Sequence, residues 1–340
     1  MIAVERGFVE RDLEALDLDA RVLVVGYGSI GQRHVKNLLA LGPGIVVVEP
    51  DEGRAKDAEA LGLEVYPRIT FGDAKMSHAI IATPASEHGP TIGLLGHMRR
   101  MLVEKPLFDT AKSMTWRGNP LGQLPMPSAA DAQWFVGYNL RMLPSLVAFR
   151  DQVRAAPLGR PLWARVECSS YAPDWRAGRP YASTPSAWKA QGGGALRECS
   201  HEVDMVRWIF GRPIVRAAVV ERTHSLVGDS DDYALAVLST PYCERVELHL
   251  DLVRRDARRR IEVICEQGTL TWELRPIPAH QQLILPMSSV PYDDIDATYV
   301  AEVKALLSDV IPEWADPNIA TLEDGLAAIR LVDDIEAASK

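Results

Sequence analysis

Lys105 places a charge where the sequence is otherwise burying its chain. It follows the apolar run Met101-Leu102-Val103 and Glu104, and Pro106 stops the segment directly behind it. Burial or a nearby positive charge lowers a lysine's proton affinity and suits it to proton transfer. A lysine that only hydrogen-bonds backbone carbonyls is the equal alternative on these residues alone. A second group begins at Gly192-Gly193-Gly194, a flexible entry that tolerates close approach of a ligand, and continues through Glu198, His201 and Asp204. Their spacing of three puts all three on one face of a helix. A carboxylate beside an imidazole orients and tunes it, as acid–base catalysis requires. A structural capping network is the competing reading. A metal needs further ligand-bearing helices around an E-x-x-H pair, and none is evident, so no metal is expected.

A third feature is Gly26-Tyr27-Gly28-Ser29-Ile30-Gly31, between the apolar run Val22-Leu23-Val24-Val25 and a helix-like stretch from Gln32 to Leu41. Strand, glycine turn and helix come in the order of a dinucleotide site. Gly26 permits the tight turn, Gly28 lets the backbone approach a pyrophosphate, and Gly31 lets the helix pack on the strand. The helix N-terminus faces the phosphate charge. A second strand, Ile45 to Val48, ends in Glu49, 18 residues after Gly31. An acid there reaches the ribose hydroxyls.

The elements that must hold these groups fall into two grammars. Up to about residue 140, strand and helix signals alternate: a helix from Glu52 to Leu61, a strand from His78 to Ala82, a helix from about His88 to Arg100, then strands Met101–Glu104 and Trp134–Tyr138. This implies a parallel, doubly wound sheet, residues 1–140. Residues 112–130 carry Gly118, Pro120, Gly122, Pro125 and Pro127 and should be an irregular loop. In open parallel sheets ligands bind at the carboxyl ends of strands. That rule selects Thr83, Pro84 and His88, then Glu104 and Lys105, then Asn139 and Arg141.

Beyond residue 140 the pattern changes: residues 162–168 and 246–252 alternate with period two, and further strand runs lie near 214–221, 233–239 and 261–266. Residues 141–340 are therefore expected to form an α+β domain around a large, mostly antiparallel open sheet with one wetted face. Helices are expected over Cys199–Phe210, stopped by Gly211, and from Thr321 onward. The loop Asp174-Trp175-Arg176, with Arg179 and Tyr181, has the residues of a sugar site: arginine for an anion, tryptophan for a ring face. A structural loop held by its prolines is the alternative. The basic cluster Arg254, Arg255, Arg258, Arg259 and Arg260 reads as a solvated turn, with a phosphate-binding rim as the second reading.

Composition bounds the function. The 340 residues are 47% hydrophobic and 24% charged, with net charge −9. That fits a globular chain and opposes nucleic-acid or anionic-membrane binding. Four dispersed cysteines without C-x-x-C are expected as reduced, buried thiols. The charged residues between Glu5 and Glu14 do not make a signal peptide, and a cytoplasmic enzyme is expected.

These pieces together resemble the Gfo/Idh/MocA family of NAD(P)-dependent oxidoreductases. The matching residues are Val25 to His34, Ala82-Thr83-Pro84, Glu104-Lys105-Pro106, Gly137 to Arg141, the glycine-rich stretch through His201 and Asp204, and Glu323-Asp324-Gly325. Pro173 to Tyr181 and Ser200 to Asp204 further resemble a branch linked to surface-sugar and sialic-acid-like biosynthesis. The resemblance implies a Rossmann domain, a second domain whose open sheet forms a dimer or tetramer interface, and hydride transfer between a sugar or nucleotide-sugar carbon and nicotinamide. It implies that Lys105 binds the reacting hydroxyl, that His201 is the main acid–base residue, and that Asp204 orients the site or contacts substrate. Many members carry an aspartate four residues before the histidine; here Arg197 occupies that place and Glu198 follows it. Glu49-Pro50 favours NAD over NADP, with Arg54 as the residue that opposes this. Two other functions share the fold: an NAD-dependent glycosidase with transient redox, and a non-catalytic NAD-binding regulator.

Overall fold

The computed structural model describes residues 16–69, 76–109, 115–116, 119–120, 133–176, 178–274, 294–308 and 318–339. The charged N-terminal stretch and most of 112–130 lie outside them. Of the expected irregular loop, Thr115–Trp116 (β6) and Asn119–Pro120 (β7) form a short antiparallel pair. The chain divides into two compact units, neither continuous in sequence. The first comprises residues 1–104, 114–142 and 296–322; the second comprises 105–113, 143–295 and 323–340. One join falls between residues 142 and 143, and the C-terminal segments are divided between both units.

In the first unit, β1 (Arg21–Val25), β2 (Gly44–Val48), β3 (Glu64–Tyr66), β4 (His78–Ile81), β5 (Arg100–Val103), β8 (Gln133–Val136) and β15 (Ala320–Thr321) form one sheet in the order β15-β8-β5-β4-β1-β2-β3. All neighbours are parallel except β15 on β8. This is the doubly wound order, reversing between β1 and β4. Helix α1 (Ser29–Leu41) follows β1, α2 (Glu52–Glu59) follows β2, and α3 (Ala85–Leu94) follows β4. Helix α3 starts earlier and ends earlier than the sequence suggests: Pro84 stands at its N-cap, and the residues after Leu95 turn into β5. Asp51 caps α2, its carboxylate accepting from Arg54 N. The core joins Val22, Val24, Leu38, Val47, Ile80, Leu102 and Phe135 to Val303, Leu306 and Leu307 of α7 (Ile295–Leu307). Each such burial contributes about 1.5–3 kcal/mol.

In the second unit, β9 (Pro161–Tyr171), β10 (Ile214–Glu221), β11 (Tyr233–Ser239), β12 (Val246–Asp251), β13 (Val253–Cys265) and β14 (Gly268–Glu273) make a sheet in the order β10-β11-β12-β9-β13-β14. Only β12 on β9 is parallel. The expected strands at 214–221 and 233–239 match residue for residue. The basic cluster is not a turn. Arg254 to Arg260 lie within β13, beside a register shift against β9 between Val253 and Arg258. Helices α4 (Pro144–Ala155) and α6 (Ser200–Phe210) pack on each other, and α6 covers β9 and β12. Trp272 is fully buried and donates to Ser145 Oγ at 2.8 Å. No described helix is long and apolar enough to cross a membrane.

Candidate active site

The first unit supplies a dinucleotide-shaped turn. A Cβ built on Gly31 would lie 2.0 Å from the Gly26 carbonyl oxygen, so the helix reaches the strand only because residue 31 has no side chain. A Cβ on Gly28 meets nothing within 4 Å. Tyr27 is buried and directs its N–H to Glu49; Ser29 and Ile30 open α1, which has no side-chain cap. No side chain caps its first N–H groups, which leaves them for a phosphate to complete. At the end of β4, Thr83 Oγ1 is buried and, among the described residues, finds no hydrogen-bond partner. A helix start without a side-chain cap, an open glycine and an orphaned hydroxyl fit NAD.

Glu49 is 3% exposed. Its carboxylate accepts from Tyr27 N at 2.8 Å, from Asp51 N at 2.9 Å and from Arg54 at 2.9 Å. Burial works against its charge, but these bonds outweigh it and hold the carboxyl below its ordinary value. It stays ionised, which disfavours a 2′-phosphate, and Arg54 is committed to it.

Several expected site residues also make contacts within the fold. His88 Nε2 lies 2.9 Å from the Thr83 carbonyl oxygen, tying α3 to the end of β4 beside Pro84. Glu104 is buried, its Oε1 2.6 Å from His34 Nε2. Burial and the Glu104 charge push Glu302 well up, and burial with both carboxylates pushes Tyr299 up to about 12. Asn139 is buried and donates to Thr298 Oγ1 at 2.6 Å, and Arg141 is buried beside it in sequence.

The second unit gathers titratable groups around α6. Lys105 Nζ donates to the Glu198 carbonyl oxygen at 3.3 Å, so the backbone-bonding reading of this lysine has a direct observation. Its charge also acts on His201. That imidazole is 8% exposed; burial first, then Lys105 and Arg259, push it well below its ordinary range. It is therefore neutral near pH 7 and able to accept a proton. Asp204 is buried one turn further along α6. Glu198 does not share their helix. It ends α5 (Ala195–Glu198), and Cys199, at φ −91° and ψ 33°, breaks the run before α6. Glu198 and His201 therefore belong to two helices rather than to the one helix expected. The glycines ahead of α5 serve close packing rather than flexibility: a Cβ on Gly194 would sit 2.3 Å from Asp231 Oδ1.

Glu202 was given no role from sequence, and Arg259 was read only as one of the basic cluster. Glu202, 1% exposed, lies 2.7 Å from Arg259 Nε. Burial pushes its carboxyl up, and Arg259 opposes this. No local spacing links residues 57 positions apart, on a helix and a strand. Cys168, Cys199 and Glu202 bring their ligand atoms within 4.8 Å of one another, the single such group among the described residues. The Arg259 guanidinium, 3.5 Å from Cys168 Sγ, already supplies positive charge there and disfavours a cation.

The sugar loop divides. Trp175, 41% exposed, donates to Ser170 Oγ at 3.0 Å and walls a cavity of about 270 Å³. Glu198, Cys199, Arg258 and Arg259 also line it. Arg179 is instead tied to the Ser183 carbonyl oxygen at 3.0 Å, and Tyr181 donates to the Ser186 carbonyl oxygen at 3.0 Å. Asp174 and Arg176 are exposed. A larger cavity of about 570 Å³, against Lys189, Glu221, Asp229, Asp231 and Glu336, holds none of the expected site residues.

Comparison with known proteins agrees with both units. Residues 20–115 match the model for an oxidoreductase family with an NAD-binding Rossmann fold, and residues 146–271 match a GFO/IDH/MocA C-terminal domain. The chain is 26% identical to scyllo-inositol 2-dehydrogenase (NAD(+)) of Bacillus subtilis over 58% of its own length and 56% of that protein's. It is 25% identical to inositol 2-dehydrogenase of Acidothermus cellulolyticus over 96% of each. Among solved structures, the WlbA dehydrogenase of Bordetella pertussis with NADH and UDP-GlcNAcA shares the fold with TM-score 0.74 at 18% identity, covering 94% of this chain and 96% of that one. GenD2 from gentamicin A biosynthesis, with NAD, gives 0.72 at 23%, covering 94% of each.

Proposed function

The chain belongs to the GFO/IDH/MocA family of oxidoreductases with an NAD-binding Rossmann fold, and from that premise we propose that it oxidises a secondary hydroxyl of a cyclitol or sugar to a ketone. The observation that carries this reading is the buried, neutral His201 beside the charge of Lys105. Oxidation of an alcohol removes one hydride and one proton. NAD, when bound, supplies the hydride acceptor. The proton passes to an imidazole nitrogen of His201, which burial keeps unprotonated at neutral pH. The Lys105 ammonium stabilises the negative charge that develops on the hydroxyl oxygen, and such preorganised charge is worth several kcal/mol in a site shielded from water. The Gly26–Gly31 turn, Glu49 and Thr83 hold the cofactor. Asp204, buried one turn along α6 from His201, orients the site or contacts substrate, and the retained lysine and histidine weigh against a regulator.

The relatives' names support a polyhydroxylated ring as substrate. The exposed side chains Trp163, Val219 and Val237 on β9, β10 and β11 support assembly of copies through this sheet as a dimer or tetramer. Four buried free cysteines support a reducing, cytoplasmic setting. The test is purified protein with NAD and a panel of inositols, sugars and nucleotide sugars, followed at 340 nm. Net NADH with at least one ring alcohol is expected. Product release without NADH would turn the reading toward a glycosidase.

A further inference from the structure

The basic run in β13 separates into arginines with different duties. Arg254 donates to Glu167 at 3.0 Å and to Asp256 at 3.0 Å. Arg255 lies over the Tyr171 ring at 3.8 Å. Arg259 is matched by buried Glu202. Arg258 also lines the 270 Å³ cavity. Among the described residues its ion pair is with Asp256 alone, at 3.8 Å, and that carboxylate is 73% exposed and shared with Arg254. A solvated, shared carboxylate at that range neutralises a guanidinium weakly. The cavity therefore has a cationic side at Arg258. Trp175 gives it a flat apolar face, fixed by its bond to Ser170. Glu198, Ser169 and Ser170 give it acceptors for hydroxyl groups.

We infer that this cavity takes a small polyhydroxylated anion, its acid group on the Arg258 guanidinium, its ring against Trp175 and a hydroxyl on Glu198. This rests on the sugar-oxidoreductase reading and narrows its substrate class. Guanidinium binds carboxylate and phosphate through the same planar fork, so a sugar acid and a sugar phosphate share the required chemistry. The volume lies just below the range of drug-sized sites and suits one ring.

Equilibrium binding to the NAD-loaded protein tests it by calorimetry, with glucuronate, glucose 6-phosphate, glucose and myo-inositol as probes. At least one anionic probe binds about tenfold or more tighter than glucose, which is about 1.4 kcal/mol. Which anion wins separates the carboxylate from the phosphate. Arg258→Gln abolishes the preference without weakening the neutral probes, and Arg258→Lys, which keeps the charge but not the fork, retains part of it. Equal binding of neutral and anionic probes, a preference that survives Arg258→Gln, or no anionic binding up to about 10 mM, well above ordinary KM values, overturns the inference. The two readings fail separately. NADH formed from neutral rings with no response to Arg258 leaves the dehydrogenase and removes the anion site. Anion binding through Arg258 with no NADH from any substrate does the reverse.

Discussion

Arg259→Met removes the cation from a carboxylate that cannot reach water. Glu202 is 1% exposed, and its Oε1 lies 2.7 Å from the Arg259 Nε. At that distance and an effective dielectric constant of about 20, the attraction is about 6 kcal/mol. Desolvation of the two groups cancels part of it, and breaking such a pair by removing one partner typically costs roughly 3–5 kcal/mol. For a unit of 150–250 residues this lowers Tm by roughly 6–20 °C. The pH dependence has a definite sign. Burial already raises Glu202, and Arg259 opposes the rise. Without the arginine the carboxyl goes higher still. A folded-state pKa above the unfolded value favours the protonated fold. Relative to wild type, the variant is thus least harmed near or below about pH 4.3, and it loses stability as pH rises, at up to about 1.4 kcal/mol per unit. Thermal unfolding of both proteins between pH 5 and 8, followed by circular dichroism, measures this. The deficit should widen with pH, and adding Glu202→Gln to the variant should recover much of it. A variant that melts within about 2 °C of wild type at pH 8, or whose deficit shrinks as pH rises, refutes the reasoning.

Lys105→Ala and His201→Ala should each lower turnover of the best ring alcohol about tenfold or more, equivalent to roughly 1.4 kcal/mol of barrier, with NAD affinity retained in a fluorescence titration. Near-normal turnover in either removes that residue from the mechanism. The acid limb of kcat/KM for oxidation should fall below the ordinary imidazole value of about 6.5, because burial, Lys105 and Arg259 all disfavour imidazolium at His201. In Lys105→Ala the limb should move up, since one opposing charge is gone; an unmoved limb would assign it to another group. Glu49→Ser should weaken the preference for NAD over NADP, because it removes the ionised acid and releases Arg54 to meet a phosphate. An unchanged ratio of kcat/KM values would show that Glu49 does not read the ribose.

The turn from Gly26 to Gly31 was legible because its glycine spacing lies within six residues and Gly31 packs directly on the Gly26 carbonyl, and strands 214–221 and 233–239 because their short apolar runs are local. The arginine-rich stretch was not. Five arginines in seven residues suggest a solvated turn, yet Arg254, Arg255 and Arg259 are met by Glu167, Tyr171 and Glu202, none of them near in sequence, while Arg258 and Arg260 pair with Asp256 and Glu262 inside their own strand. The break at Cys199 was hidden for a related reason. Residues 195–210 have helical composition throughout, and the kink shows only in the backbone angles of one residue. Glu198 and His201 therefore seemed one helical turn apart when they belong to two helices. Asn139 carries a polar group at a strand end, where ligands bind in such sheets, but its amide is committed to Thr298, on a helix 159 residues away.

The division of the first unit among three stretches of chain orders the life of the nascent protein. Strand β8 has its outer neighbour only when Ala320 and Thr321 pair with it, and the core gains Val303, Leu306 and Leu307 only from α7. A ribosome adding about 5–20 residues per second must make all of residues 143–295 first. For on the order of ten seconds or more, β8 is an open edge beside a hollow, ready to pair with another chain. The cofactor-binding half is begun first and sealed last, so a growing chain of this protein should be a chaperone client through most of its synthesis.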